Sequence, residues 1–402
     1  MVDIKMDAFI GSHFLGEEEK KALVEIIDSQ SLFRYDGPHW LNRTGEFEEA
    51  IKEYFDVENA LACSSGACAL KLACIALGIE PGDEVIMSPF TYIASAGAVM
   101  ACGAVPVFVD VDESMNIDPR NIEYYITEKT KAIMAIHMQG VPCKMDIILD
   151  IARKYKLKVI EDCAQAFGVK YKGKFVGTFG DAAAFSLQAN KIITCGEGGI
   201  FICKNEAQYK KGVQYHDNGG KRMENSYPIW NDAECSFGEN FKITELQSAV
   251  ALEQLKKVNK IIENQKSQYQ ELVSNLVPMR LRAIPEEATC VPVSLCIIFD
   301  TCAECEEFIN ITNVHNVSFD FFSDKNLTTY TTFRKQKSWN KYNAPYCYTQ
   351  YSLNECEYTL NLSNRTAWLP IHPLWSNEEI KYISNVINNA YTEITIKATL
   401  CK

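Results

Sequence analysis

Between residues 60 and 161 the chain repeats one pattern: a short apolar run, then a longer segment of helical character, then another apolar run. The runs fall near residues 60–63, 84–88, 105–109, 132–137 and 158–161, and the segments between them near 67–77, 92–101, 120–126 and 145–156. The runs are too short for buried helices and lack the polar alternation of a half-exposed strand, so they read as strands covered on both faces. Strands joined by helical crossovers make a mostly parallel sheet. Two further runs, 182–187 and 199–203, have little helix between them, and a direct return there adds an antiparallel strand. Ahead of the alternation, residues 15–29 form an amphipathic helix opened by Gly16 and three glutamates. Residues 31–43 are loop, broken at Gly37-Pro38, and 46–55 are a second helix. Behind it, residues 244–276 read as one long helix. Residues 289–357 are rich in Asn, Thr, Tyr and Cys with weak periodicity, and 376–394 form an amphipathic helix. A chain of 402 residues exceeds a comfortable single core. The expectation is an α/β protein with an N-terminal arm and large domain over residues 1–255 and a smaller C-terminal α/β domain over 256–402.

Residues 85–109 carry no charge, which is the length of a membrane span. Pro89, Gly97, Gly103 and Pro106 interrupt the stretch, and Ser88, Thr91 and Ser95 are polar, so a buried strand–helix–strand accounts for it better. The net charge of -12 argues against nucleic acid or an anionic membrane as partner, while leaving room for a small phosphorylated ligand. Of sixteen cysteines, Cys63, Cys68, Cys74, Cys102 and Cys163 sit inside apolar runs, like small hydrophobes. The start, MVDIKMDAFIGSHF, lacks the basic and apolar regions of a signal peptide. Both point to free thiols in a reducing cytoplasm. Cys302 and Cys305 form a lone C-x-x-C with no second pair nearby; two cysteines near a helix start explain it, and no metal site is expected.

The chemistry is carried by several segments in order. In GDAAAFSLQANKIITCGEGG, residues 180–199, a strand ends at Ser186, Lys191 lies in the following turn, and Gly196, Gly198 and Gly199 come after it. A lysine at a sheet's carboxyl edge loses water, and burial disfavours the ammonium, leaving a nucleophilic amine able to form a Schiff base. Taken alone, a surface lysine in a turn is the simpler account. In VIEDCAQAFG, Asp162 lies at the end of a strand, where α/β ligand sites form. A carboxylate there could hold a protonated pyridine nitrogen, and Gln165 could reach the ring hydroxyl; the competing role for Asp162 is a helix N-cap. In CSSGACALKLA, the amides of Gly66 and Ala67 at a helix start would bind an anion, although Ser64 or Ser65 could simply cap the helix. Tyr92 offers a face to stack on a flat ring, or else is a core tyrosine. Phosphate cradle, stacking ring, pyridine partner and lysine together fit pyridoxal 5'-phosphate (PLP), and the coincidence outweighs each part.

These segments, with LGEEE at residues 15–19, GDEVIMSPFTYIASAGAV, GAVPVFVDVD, AIHMQGVPCKMD, GTFGDAAAFS, K-x-x-T-x-G-E-G-G, FGENFKITELQSAVALEQL and LPIHPLWSNEEI, give the chain its resemblance to the DegT/StrS family of PLP-dependent sugar aminotransferases, of fold type I. The resemblance runs from about Phe14 to Asn388 and weakens over 289–357. It implies that Lys191 is the Schiff-base lysine and proton shuttle, and that Asp162 holds the pyridine nitrogen. It places Gln165 near the ring, Tyr92 stacked on it, and Ser65, Gly66, Ala67, Ser186 and Gln188 around the phosphate. Asn240, in a G-x-N-[FY]-[KR] pattern, resembles a residue that reaches the phosphate from a partner subunit, which implies a homodimer with shared sites. Two departures stand out. Ala67 replaces the family's usual threonine, removing a hydroxyl from the phosphate shell. The Arg34 loop, SLFRYDG, looks instead like a branch acting on a free eight-carbon sugar acid to form an 8-amino octulosonate, and ITCGEGG fits that branch too. Arg34 is therefore expected to hold an anionic group of the substrate; the alternative is an arginine packed on Phe33 and Tyr35 by its aliphatic stem.

The expected activity is transfer of an amino group from an amino acid, glutamate first, to a keto- or aldehydo-sugar, in making an amino sugar for surface polysaccharide or a secondary metabolite. A PLP-dependent sugar dehydratase is the first alternative, but family dehydratases replace the lysine with histidine. A PLP-binding sensor or scaffold without turnover is the second.

Overall fold

The computed structural model describes Ile4, residues 7–222 and residues 227–400; part of the N-terminal stretch read above for a signal peptide lies outside the described residues. The core of the large domain is a seven-stranded sheet of β1 (Ala60–Cys63), β2 (Glu84–Met87), β3 (Val105–Phe108), β4 (Thr130–Ile136), β5 (Lys158–Asp162), β6 (Ala182–Ser186) and β7 (Gly199–Cys203). Their order is β1-β7-β6-β5-β4-β2-β3. The pairs among β2 to β6 are parallel, and β7 runs antiparallel to both β6 and β1. The loop between β6 and β7 contains no helix, so no crossover returns the chain to the same end, and it comes back as a hairpin.

Helices cover both faces, which is why the strands read as unbroken apolar runs. Against one face, α3 (Gly66–Ala76) and α4 (Ala94–Ala101) pack on Leu61, Met87, Met134 and Phe201. Against the other, α2 (Arg43–Phe55) and the first half of α7 (Glu245–Ser274) enclose Ala62, Phe185 and Ile200, while α5 (Met145–Tyr155) covers Ile86, Ile133 and Val159. The uncharged residues 85–109 thus divide into β2, α4 and β3, and no described helix is long and apolar enough to cross a membrane. α1 (Glu17–Ser29) lies on α7, and α6 (Glu206–His216) follows β7.

The C-terminal unit is an antiparallel sheet of β8 (Ser294–Ile298), β9 (Asp320–Phe321) and β10 (Thr366–Pro370), ordered β8-β10-β9 and packed against α8 (Cys302–Val314) and α9 (Asn377–Leu400). α7 spans both cores: Val258 and Ile261 belong to the large one and Leu272 to the small one. The fifteen described cysteines are all free. Cys302 and Cys305 open α8, Cys305 inside the small core and Cys302 in solvent.

Candidate active site

The carboxyl ends of β1, β6, β5 and β4 converge with the amino end of β7 at one edge of the sheet. Cys63 pairs with Gly199, and Gly199 with Ser186, so the ends of β1, β7 and β6 lie in one row. Asp162, the last residue of β5, pairs with Ile136 of β4 and Ala184 of β6.

Past β1 the chain turns straight into α3. Ser65 caps it, its Oγ accepting the Cys68 amide at 3.1 Å. The next amides, from Gly66 and Ala67, precede the first intrahelical acceptors and face an anion-attracting helix start. A Cβ at Gly66 would lie 2.7 Å from Ser186 Cβ, so only glycine allows β6 this close and brings Ser186 Oγ to the helix start. Ser186 Oγ accepts the Gln188 amide at 3.3 Å, and Gln188 Oε1 accepts the Asn190 amide at 3.1 Å. Ala67 is exposed at the cradle's rim.

The chain after Asp162 makes turns, not a helix, so this carboxylate caps nothing. It is 5% exposed, and each oxygen takes one donor: the Ala164 amide on Oδ1 at 3.1 Å and the Ser95 hydroxyl on Oδ2 at 2.7 Å. Burial raises its pKa above the ordinary carboxylate value, opposed by those two donors and by the charge of Lys191. Lys191 shows the complementary effect: burial lowers its pKa, opposed by the charges of Asp162 and Glu197. Its loop is closed by Thr194, whose hydroxyl donates to Leu187 O at 2.9 Å and accepts the Gly196 amide at 3.0 Å, which accounts for the K-x-x-T-x-G spacing.

Behind that loop lies an unforeseen support. The Gly11 amide donates to Lys191 O at 2.8 Å, and the Ser12 hydroxyl to Ala189 O at 2.9 Å. A Cβ at Gly11 would meet the Lys191 and Ile192 carbonyl oxygens at 2.9 Å. Gln165 Oε1 accepts the Gln139 amide at 3.1 Å, which leaves the Gln165 NH2 group to donate elsewhere. Tyr92 is 65% exposed, so it is not a core tyrosine. Asn240 is exposed; its Oδ1 accepts the Lys242 amide at 3.4 Å, and Phe241 O accepts the Ser64 amide at 2.8 Å, holding the motif at the same sheet edge.

Arg34 is corrected. It is 5% exposed, donating from Nη2 to Glu48 Oε1 and from Nη1 to Ala62 O, both at 2.8 Å, with its Cζ 4.6 Å from the Tyr35 ring centre. Glu48 also accepts the Ala62 amide at 2.8 Å. The guanidinium neutralises a sequestered carboxylate of its own chain. Ser95, Gly11 and Ser12 were not singled out as site residues. Ser95 left one trace, a hydroxyl four residues after Thr91 in an uncharged stretch.

A desolvated amine, a buried carboxylate and a helix start framed by a serine match a flat heteroaromatic aldehyde that bears a phosphate, which is the chemistry of PLP. The sequence matches the DegT/DnrJ/EryC1/StrS aminotransferase family over residues 14–388. It is 35% identical over 384 residues to GDP-perosamine synthase of Escherichia coli O157:H7, covering 94% of this chain and 96% of that protein. The fold is similar to that of an aminotransferase from Psychrobacter cryohalolentis, with TM-score 0.82 and 28% identity over 95% of this chain and 98% of that one. It is also similar to that of NtdA from Bacillus subtilis with bound cofactor PMP, with TM-score 0.80 and 25% identity over 97% of this chain and 86% of that one. The chain belongs to the DegT/DnrJ/EryC1/StrS aminotransferase family, as a fold type I sugar aminotransferase of amino-sugar biosynthesis that uses PLP.

Proposed function

We propose that the enzyme moves an amino group from glutamate to a keto sugar carried on a nucleotide diphosphate, and works as a homodimer with shared sites. The observation that carries this reading is that one sheet edge gathers a desolvated amine, Lys191, and a buried carboxylate, Asp162, each near enough for its charge to act on the other. When bound, PLP supplies the carbonyl that takes up the amino group and the ring that withdraws electrons from the reacting carbon. Lys191 Nζ would serve as the base toward the donor's α-proton in the first half-reaction and as the acid that protonates the acceptor carbon in the second, tasks its lowered pKa suits. Asp162 holds a proton on the ring nitrogen. Ser65, Gly66, Ala67, Ser186 and Gln188 hold the phosphate, Gln165 donates to the ring hydroxyl, and Tyr92 covers a ring face. Asn240 reaches the partner's phosphate.

The dimer is supported by large apolar side chains left in solvent: Val24 and Ile27 on α1, Leu32, Phe33 and Trp230, and Phe237, which is 96% exposed three residues before Asn240. The nucleotide-linked acceptor follows the name of the perosamine synthase relative. It is preferred over a free octulosonic acid because Arg34, the main support for an acidic sugar, is bonded to Glu48. A donor–acceptor screen with the PLP-loaded protein tests the reading. Glutamate should yield 2-oxoglutarate in the first half-reaction, and a nucleotide-linked keto sugar should receive the amine. Amination of a free octulosonic acid with nucleotide sugars untouched would overturn the acceptor; turnover with other donors and none with glutamate would overturn the donor.

A further inference from the structure

The Ser95 hydroxyl that bonds Asp162 is itself bonded: Thr91 Oγ1 lies 2.8 Å from Ser95 Oγ, and both side chains are buried. The direction of the two bonds follows from chemistry. An ionised carboxylate only accepts, so Ser95 gives its one hydroxyl proton to Asp162 Oδ2. Ser95 Oγ must then accept, so Thr91 donates. The scaffold fixes both residues, since the Thr91 amide donates to Lys325 O at 3.1 Å and the Ser95 amide to Tyr92 O at 3.2 Å. The same turn turns Tyr92 outward between them.

We propose that Ser95, backed by Thr91, is the positioning residue for Asp162, keeping the carboxylate ionised and aimed so that the cofactor's ring nitrogen stays protonated. This rests on Asp162 holding that nitrogen. The need for a donor is physical: burial alone drives this carboxylate toward its neutral form, and a neutral carboxyl group cannot keep a proton on pyridine. Ser95 is the strongest of the groups opposing that drift. A hydrogen bond to a charged group is also directional, so the pair restricts rotation of the carboxylate.

The test uses the PLP-loaded enzyme with 15N at the cofactor's ring nitrogen. Ser95→Ala should move the ring 15N resonance toward that of neutral pyridine and slow the half-reaction with glutamate by about ten- to a hundredfold, the usual worth of a hydrogen bond to a charged partner. Ser95→Thr, which restores a hydroxyl, should return both. Thr91→Val, equal in shape, should shift the resonance part of the way; it carries the test if Ser95→Ala fails to fold. An unchanged 15N resonance in a folded Ser95→Ala, whatever its rate, or an unmoved resonance in a folded Thr91→Val, overturns the proposal. Asp162→Asn is the control. If it leaves the ring nitrogen protonated, the reading of Asp162 fails; if it removes the proton while Ser95→Ala does not, only the role of Ser95 fails.

Discussion

Arg34→Met separates a structural role from a substrate role. The substitution keeps an apolar stem but removes three contacts: the bond to Glu48, the bond to Ala62 O, and the approach to His216 Nε2 at 3.3 Å. Glu48, whose side chain is 15% exposed, keeps the Ala62 amide but no cation, and the buried Ala62 carbonyl loses its guanidinium. Removing one partner of such a pair leaves an uncompensated charge, which costs about 3–5 kcal/mol. That is a large fraction of the roughly 5–15 kcal/mol by which domains are stable. Urea unfolding followed by circular dichroism should show a clear fall in midpoint with little change in slope. Adding Glu48→Gln should recover part of the loss, because the stranded charge is then gone. Acceptor KM in the folded Arg34→Met enzyme should match the parent. A raised acceptor KM with an unmoved midpoint refutes the argument and returns Arg34 to the substrate.

Borohydride reduction of the yellow holoenzyme should fix the cofactor to Lys191, and Lys191→Ala should abolish turnover; label on another lysine contradicts the assignment. Asp162→Asn should slow transamination by about a hundredfold or more, as other losses of charge stabilisation do; a near-normal rate would leave Asp162 without a catalytic role. His216 is buried and faces Arg34, and burial first, then the Arg34 charge, lower its pKa to about 3 from an ordinary 6.5, against the opposing bond from Nδ1 to Val213 O. The unfolded chain therefore binds the extra proton between those values, so stability should fall as pH drops from 6.5 toward 3, and His216→Asn should flatten that part of the urea-midpoint profile. Sedimentation should show two 45.4 kDa chains together, and Phe237→Asp should shift the protein toward inactive monomer; an active monomer contradicts the shared site.

The strands were legible because burial on both faces leaves apolar runs that tolerate no other reading. α6 was missed for the opposite reason: of its residues only Gly212 and His216 are buried, so it presents no apolar stripe. α8 was legible only at its start, where Cys302 and Cys305 read as cysteines near a helix start; a capping box from Thr301 to Glu304 carries the same sign. The region 289–357 resisted because much of it is short helical turns wrapped over other parts of the fold. Phe333 sits 5.3 Å from Phe108, and Asn354 Nδ2 donates to Phe108 O at 2.9 Å, sealing the edge strand β3. Lys191, Asp162 and the Gly66 cradle were readable because each sits next to a strand end. The bond from Arg34 to Glu48 left no sign in the sequence, because the two lie fourteen residues apart, one in a loop and one on a helix. The Ser12–Ala189 contact spans 177 residues, beyond any local pattern.

That last contact bears on how the protein is made. Ile10 packs in the same core as Ile192 and Ile193, and Gly11 bonds the lysine's own carbonyl. The ribosome delivers residues 10–12 well before the β6–β7 hairpin, and their seat does not exist until that hairpin has emerged and paired. At about 5–20 residues per second the leading segment waits on the order of ten seconds or more with its apolar side chain unburied. Closing so long a loop is entropically costly and falls late. Lys191 therefore gains its backing only after most of the large domain is synthesised, although the residues that provide it were made about 180 residues earlier.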